Sequence, residues 1–259
     1  MLSTLAAVLV AASPSCGSVV GAQRIVENKR TRWLIVGEQH GTVEAPAAFI
    51  DLVCAAARQR PVTVAVEQPV TEQAAIDAFT GSDGGVEARA AFLKSVIWTN
   101  GFKDGRSSRA IFGMFESLRQ LRATGRIRGV VAFQPTQADS PADYERAMAD
   151  ELARRSPPGV LTVALVGNVH AMRTPVSFSG PAYMPMAGLL PKGETITLDT
   201  RPNGGSQWAC MSPTNCGPQP MHSGPFRPRG VIIGRDAAPT YSGVFNLGVP
   251  ATVSPPQEP

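Results

Sequence analysis

Four short apolar runs, each rich in β-branched residues and separated from the next by an amphipathic stretch, constrain the fold of this 259-residue chain most strongly. The runs cover residues 33–36, 62–66, 130–133 and 160–166. Uninterrupted apolar runs of this length are typical of strands that are covered on both faces. Strands that alternate with helices predict an α/β fold, in which helices flank a mainly parallel central sheet.

The stretches between these runs carry helical signals. We predict helices over residues 47–58, 71–79 and 86–93, a helix from Ser108 to about Gly125, and a helix from Ser140 to about Arg155. Serine at the start of the last helix, followed by proline and then by an acidic residue, is typical of a capped helix start. Later apolar runs at residues 195–198, 231–233 and 244–247 predict strands in a less regular, loop-rich C-terminal extension that is rich in proline and glycine.

Both ends of the chain are predicted to lie outside this domain. Residues 1–22 contain no charged side chain and carry a short apolar run followed by small residues, a pattern that predicts a signal peptide. Residues 251–259 are predicted to form a disordered tail, which leaves residues 23–250 as a single α/β domain. The predicted location is therefore the periplasm or the cell exterior.

The four cysteines fit an oxidising compartment. Cys210 and Cys216 lie close together in a loop-rich segment, and we predict a disulfide between them. Cys54 lies in an apolar stretch and is interpreted as a buried, inert thiol. Cys16 follows Ser-Pro-Ser, which is a poor lipoprotein signal. No Cys-x-x-Cys pair is present, so the sequence lacks the pattern of zinc ribbons and of thioredoxin-like redox sites.

Several classes of partner and enzyme are excluded by pattern. A net charge of +4 without a long basic cluster does not indicate a nucleic-acid partner. No apolar run reaches the roughly 18 residues of a membrane span. The motifs of serine hydrolases, P-loop enzymes, dinucleotide oxidoreductases and His-Glu-x-x-His metalloproteases are absent.

Candidate site residues lie where the predicted strands end, which is where ligands bind in sheets of this class. Gly37-Glu38-Gln39-His40 follows the first strand, Glu67 follows the second, and Gly167-Asn168-Val169-His170 follows the fourth. Two of the three histidines of the chain thus occupy equivalent positions, with two glutamates beside them. We predict that these residues form one site. A glycine before each motif lets the chain turn sharply and lets a substrate approach closely.

This set of residues is suited to hydrolysis in either of two ways. His40 can take a proton from water, with Glu38 or Glu67 fixing its tautomer and stabilising the imidazolium. Alternatively, His40, His170 and Glu67 can hold a divalent metal ion whose bound water is the nucleophile. The sequence alone leaves both alternatives open.

Two further charged residues are candidates. Glu44 lies near the start of a helix, where it either contacts substrate or serves as a helix-start acid. Arg109 follows Ser108 and either stabilises an oxyanion, together with His170, or lies on the surface. Gly37, Gly167 and Asn168 complete the predicted substrate-binding residues.

The two Gly-x-x-His motifs with a strand-end glutamate between them resemble the erythromycin esterase, ChaN and Tiki (TraB) superfamily. The resemblance covers residues 33–173 and extends to the Gly41-Thr42-Val43-Glu44 segment and to Arg109. It implies an α/β fold with the site at the carboxyl edge of the sheet. Erythromycin esterases open a lactone with an activated water, Tiki proteins are metal-dependent proteases, and ChaN-like members bind haem.

From these residues and this resemblance we predict an exported hydrolase that cleaves an ester or amide bond in a small-molecule or peptide substrate. His40, a divalent metal ion, or both would activate the water. The alternative is a periplasmic ChaN-like protein that binds haem or another small ligand without turnover. A third interpretation is an inactive domain that keeps the motifs for packing.

Overall fold

The computed structural model describes residues 16–99, 103–178, 180–212, 214–234 and 239–258. The helices in these ranges are α1 (Gln23–Val26), α2 (Glu44–Ala57), α3 (Gln73–Thr80), α4 (Val86–Leu93), α5 (Val96–Thr99), α6 (Arg109–Ala123), α7 (Pro141–Arg155) and α8 (Met186–Leu189), with a 3₁₀ turn at Val70–Glu72. The strands are β1 (Trp33–Glu38), β2 (Val62–Pro69), β3 (Val130–Gln134), β4 (Leu161–Gly167), β5 (Thr195–Arg201), β6 (Ser206–Ser212), β7 (Asn215–Pro220), β8 (Gly230–Ile233) and β9 (Gly243–Asn246).

Seven of these strands form one sheet in the order β3-β2-β4-β1-β5-β9-β8. All neighbours pair in parallel except β8, which runs antiparallel to β9 at the edge of the sheet. The predicted α/β fold with a mainly parallel sheet is therefore confirmed. No helix within the described ranges has both the length and the apolarity needed to cross a bilayer.

Helices cover both faces of the sheet, which explains the uninterrupted apolar runs. On β1, Leu34 and Val36 belong to a large core formed with α2, α3 and α6, whereas Trp33 and Ile35 belong to a second core under α7 and α8. All six residues of β1 are buried. Because successive strand residues point to opposite faces, a strand buried on both faces has no polar alternation.

Helix starts follow the predicted caps. Ser108 Oγ accepts the amide N–H of Ile111 at 3.4 Å before α6, and Ser140 Oγ accepts that of Asp143 at 3.1 Å before α7. Because an N-cap defines the residue at which a helix begins, these two serines also define where the preceding loops end.

The segment before α1 is part of the domain, which corrects the interpretation of Cys54 as a free thiol. Cys54, on α2, forms a disulfide with Cys16. Asp51 on the same helix accepts the amide N–H of Gly17, and Val20 accepts that of Val231 at 2.8 Å. The first 15 residues of the predicted signal peptide lie outside the described ranges. Cleavage after residue 22, the predicted end of the signal peptide, would remove Cys16 and with it this disulfide.

The C-terminal extension contains more regular structure than its composition predicts. Strands β6 and β7 form an antiparallel hairpin that is closed by the predicted disulfide between Cys210 and Cys216. The prediction of a disordered tail is wrong for residues 251–258, because the backbone of Ser254 bonds to Gly41 and that of Gln257 bonds to Ser107. A proline-rich segment can be ordered in this way because its remaining amides pair with loops of the domain.

Candidate active site

The topology brings the predicted motifs to one place. Strands β2, β4 and β1 are consecutive in the sheet, and Glu38 at the end of β1 is in register with Gly167 at the end of β4. His40 and His170 lie in the loops that follow these two strands, and Glu67 lies near the end of β2. All three side chains therefore meet at the carboxyl edge of the sheet.

Each histidine is held by its own carboxylate. His40 Nδ1 lies 3.1 Å from Glu38 Oε1, and His170 Nδ1 lies 2.7 Å from Glu145 Oε1 on α7. Both carboxylates are buried. A carboxylate at Nδ1 fixes the tautomer of the ring and leaves Nε2 free for chemistry.

The two free imidazole nitrogens face the same buried carboxylate. His40 Nε2 lies 3.9 Å from Glu67 Oε2, and His170 Nε2 lies 3.6 Å from Glu67 Oε1. The histidine side chains are 21% and 19% exposed, whereas that of Glu67 is 5% exposed. Solvent can therefore reach the space between the rings, and the Glu67 carboxylate lies at the buried side of this space.

Glu67 is fixed by two donors. Its Oε2 accepts the amide N–H of Gly167 at 2.6 Å, and its Oε1 lies 3.3 Å from Arg106 Nη1. Arg106 also pairs with Asp104 through a 2.7 Å contact. The site thus contains a chain of alternating charges, from the partly buried Asp104 and Arg106 to the buried Glu67, which orients Arg106 toward the strand ends.

The absence of a side chain at Gly167 keeps the centre of this site open. A Cβ atom built at this position would lie 3.1 Å from His40 Nε2 and 3.5 Å from Glu67 Oε2. Gly37 has a packing role instead, because a Cβ there would meet the Ala171 side chain at 2.8 Å. Of the two motif glycines, Gly167 therefore borders the space where a reacting group would lie.

Burial and neighbouring charges shift the pKa values of the side chains in the site. Burial raises the pKa of Glu38. Burial alone would lower the pKa of His40, but the hydrogen bond to Glu38 and the charge of Glu67 outweigh it and raise the pKa. Burial opposes the charged form of His170 in the same way, and the charges of Glu67 and Glu145 raise its pKa.

The pKa of Glu67 is lowered, because the two histidines and Arg106 outweigh its burial. Burial and the charge of Glu67 raise the pKa of Tyr144 to about 12. The Tyr144 ring lies 5.9 Å from that of His170, so this phenol is a neutral donor at the border of the site.

Sequence reasoning missed Arg106, Asp104 and Glu145. The sequence predicted Arg109 as the positive residue of this segment. In the structure Arg109 is exposed and makes no side-chain hydrogen bond or ion pair among the described residues. Ser108 caps α6, so Arg109 lies on the helix and Arg106 lies in the loop that faces Glu67. For Glu145 the sequence offers only an acid on a predicted helix.

The other predicted substrate contacts, Glu44 and Asn168, make hydrogen bonds that tie segments of the chain together. Glu44 Oε2 accepts the amide N–H of Thr252 at 2.8 Å, which anchors the C-terminal segment at the start of α2. The backbone carbonyl of Asn168 accepts a hydrogen bond from the hydroxyl of Tyr241 at 3.0 Å, and the backbone N–H of Asn168 donates to the backbone carbonyl of Glu38. These contacts position the two loops relative to each other.

The donor set does not fit a divalent metal ion. Glu67 already accepts the Gly167 amide with one oxygen and faces the fixed positive charge of Arg106 with the other. A cation bound to Glu67 would be placed against that guanidinium. Within the described ranges, no group of three or more His, Cys, Asp or Glu side chains is arranged to hold a metal ion. Haem does not fit either, since both Nε2 atoms face the charged Glu67 carboxylate and the porphyrin ring is apolar.

Comparisons with known proteins support the fold. A succinoglycan biosynthesis protein superposes with a TM-score of 0.60 and 10% identity over 79% of this chain and 74% of its own. An erythromycin esterase mutant in its open conformation superposes with a TM-score of 0.58 and 12% identity over 77% of each chain. No family model and no curated protein matches the sequence. The shared fold agrees with the architecture that the motif resemblance implies.

Proposed function

We propose that this protein hydrolyses an ester or amide bond with a water molecule that His40 activates. The observation that carries the proposal is the pair of carboxylate-held imidazoles whose Nε2 atoms face one buried carboxylate, Glu67. Such an arrangement supplies a base and a nearby acid in a site that solvent can enter. The fold shared with an erythromycin esterase supports a hydrolase. The two disulfides are compatible with the proposed periplasmic or extracellular location.

In the proposed mechanism, His40 acts as the base. Its Nδ1–H donates to Glu38, so Nε2 carries the free lone pair and accepts a proton from water. The water oxygen then bonds to the carbonyl carbon of the substrate, and the carbonyl π electrons move to the oxygen. When the tetrahedral intermediate collapses, His40 returns the proton to the leaving oxygen or nitrogen.

The positive side chains opposite His40 stabilise the oxyanion. His170 is held by Glu145 and has a raised pKa, so its protonated form can donate a hydrogen bond from Nε2. Arg106 provides a permanent positive charge on the same side of Glu67. Donors fixed in advance are effective because they need no reorganisation as charge develops.

Glu38 sets the pH dependence. Since Glu38 raises the pKa of His40 and the base must be unprotonated, we expect kcat/KM to rise with pH through a midpoint above the usual histidine value, and to fall again at higher pH as His170 loses its proton. Glu38→Gln removes the negative charge, so the midpoint of the rising limb should move to lower pH while the maximum falls. The measurement is kcat/KM against pH. Glu87→Gln, at an exposed position on α4, should change neither. An unmoved midpoint in Glu38→Gln would remove Glu38 from this role.

A panel of ester and amide substrates tests the proposal directly. We expect purified protein to hydrolyse at least one of them and to keep that rate after treatment with a chelator, because the site residues do not fit a metal ion. Loss of the rate on chelation and its return with a divalent ion would contradict the metal-free mechanism. Tight binding of a panel compound without turnover would instead support a small-ligand carrier.

A further inference from the structure

The edge of the sheet opposite the candidate site carries a basic rim. Its members are the Lys and Arg residues just before three strands of the sheet, of which β3 and β2 are neighbours and β1 is separated from β2 by β4: Lys29, Arg30 and Arg32 before β1, Arg58 and Arg60 before β2, and Arg126 and Arg128 before β3. In sequence these are three short, widely separated groups. The parallel sheet brings them together because strand starts share one edge just as strand ends do.

The side chains of the basic rim are not neutralised. Among the described residues, none of the seven forms an ion pair, whereas Arg106, Arg155 and Arg229 elsewhere in the molecule do. Five of the seven are exposed. The other two are tied to main-chain oxygens: Arg32 to Ser156, and Arg60 to Asn28 and Thr31. These bonds hold the guanidinium groups in place without cancelling their charge.

Two concave sites lie on either side of Arg60. One has a volume of about 500 Å³ and is bordered by Lys29, Arg30, Arg32 and Arg60. The other has a volume of about 730 Å³ and is bordered by Arg58, Arg60, Arg126 and Arg128. Glu194 borders the first concavity, and no carboxylate borders the second. Each concavity can therefore receive a separate anionic group.

Helix ends explain only part of this charge. Cations near a helix C-terminus offset its dipole, which accounts for Arg58 after α2 and Arg126 after α6. Lys29 and Arg30 follow the single turn of α1, and Arg128 lies beyond the end of α6, next to β3. The helix dipoles therefore do not account for all the cations of the basic rim. A partner with negative charge would account for the rest.

The chemistry of the basic rim favours lipid headgroups over a nucleic acid. The concavities are lined by no exposed aromatic side chain on which a base could stack, since Trp33 is 1% exposed and lies under Arg32. Two separate concavities match discrete phosphates better than one continuous chain. The exposed large apolar residues of the described ranges lie elsewhere, so attraction would be electrostatic, without insertion of side chains.

We propose that the basic rim docks the protein on a membrane surface rich in anionic phospholipid. Because strand starts and strand ends lie at opposite edges of the sheet, docking leaves the candidate active site facing away from the bilayer. Each Lys or Arg held near such a surface strengthens binding by about fivefold, and salt screens the attraction.

Vesicle co-sedimentation of the full-length protein tests this proposal. We expect binding to vesicles that contain phosphatidylglycerol, weak binding to pure phosphatidylcholine, and release as salt increases. Arg58→Gln with Arg128→Gln should weaken the partition coefficient by about 25-fold, the product of two such contributions. The matched control is Lys94→Gln with Arg146→Gln, two exposed cations outside the concavities, and it should bind as the wild type does. Circular dichroism would confirm that both variants fold.

Three results would overturn the proposal. Equal binding to neutral and anionic vesicles would show that charge is not the cause. Equal weakening in both double variants would assign the effect to net charge and not to the basic rim. Tighter binding to duplex DNA than to anionic vesicles, lost in the Arg58 and Arg128 variant, would identify a nucleic-acid surface instead.

Discussion

Replacing His40 by asparagine is expected to lower kcat by about 10²- to 10⁴-fold, the range that a positioned general base contributes. Asparagine keeps a polar group that can bond to Glu38, but it cannot accept and return a proton at neutral pH. The expected KM is close to that of the wild type, because before the reaction begins the imidazole contacts the water and does not bind the substrate. Steady-state kinetics on the best substrate of the ester and amide panel measures both constants.

The chain supplies a matched control for this substitution. His222 is an exposed histidine with no contact to the site among the described residues, so His222→Asn should keep the wild-type kcat. His40 is partly exposed and lies in a loop, so the His40→Asn protein should keep its melting temperature within a few degrees. Full activity in the His40 variant would mean that another residue activates the water, and the proposed mechanism would be wrong.

The sequence predicts the sheet well because burial on both faces leaves a strong local signal. Strands β1 and β4 begin within one residue of the predicted starts, and α4 has the predicted bounds. The hairpin of β6 and β7 leaves no such signal, since its residues are half-buried or exposed and β7 includes two prolines. Its order depends on backbone pairing and on a disulfide, neither of which requires an apolar pattern.

The candidate site likewise has residues that the sequence predicts and contacts that it does not. His40 and His170 follow strands and Glu67 lies near the end of one, so a rule about strand ends places all three at one edge. Glu145 reaches His170 across 25 residues, and Arg106 reaches Glu67 across 39. Those contacts depend on how α7 and the loop before α6 pack on the sheet, and no local pattern encodes that. The Cys16–Cys54 disulfide is a third contact of this kind.

Glu67→Gln is the second substitution with a large expected effect, a loss of about 10²- to 10³-fold in kcat, as when a fixed electrostatic element is removed. The glutamine oxygen can still accept the Gly167 amide, so the local fold should persist. The negative charge that raises the pKa of both histidines is gone, however, so His170 loses its proton at lower pH. Its capacity to stabilise an oxyanion at neutral pH then falls.

Three comparisons separate this electrostatic role from a structural one. Glu72 is buried to nearly the same extent, at 7% exposure against 6% for Glu67, and forms no ion pair among the described residues, so Glu72→Gln should keep the wild-type kcat. Arg106 retains Asp104 as a partner in the Glu67 variant, so its melting temperature should change little. The midpoint of kcat/KM against pH should move to lower pH, because Glu67 also raises the pKa of His40. A Glu67→Gln protein with wild-type kcat and an unmoved midpoint would show that the carboxylate only supports the backbone at Gly167.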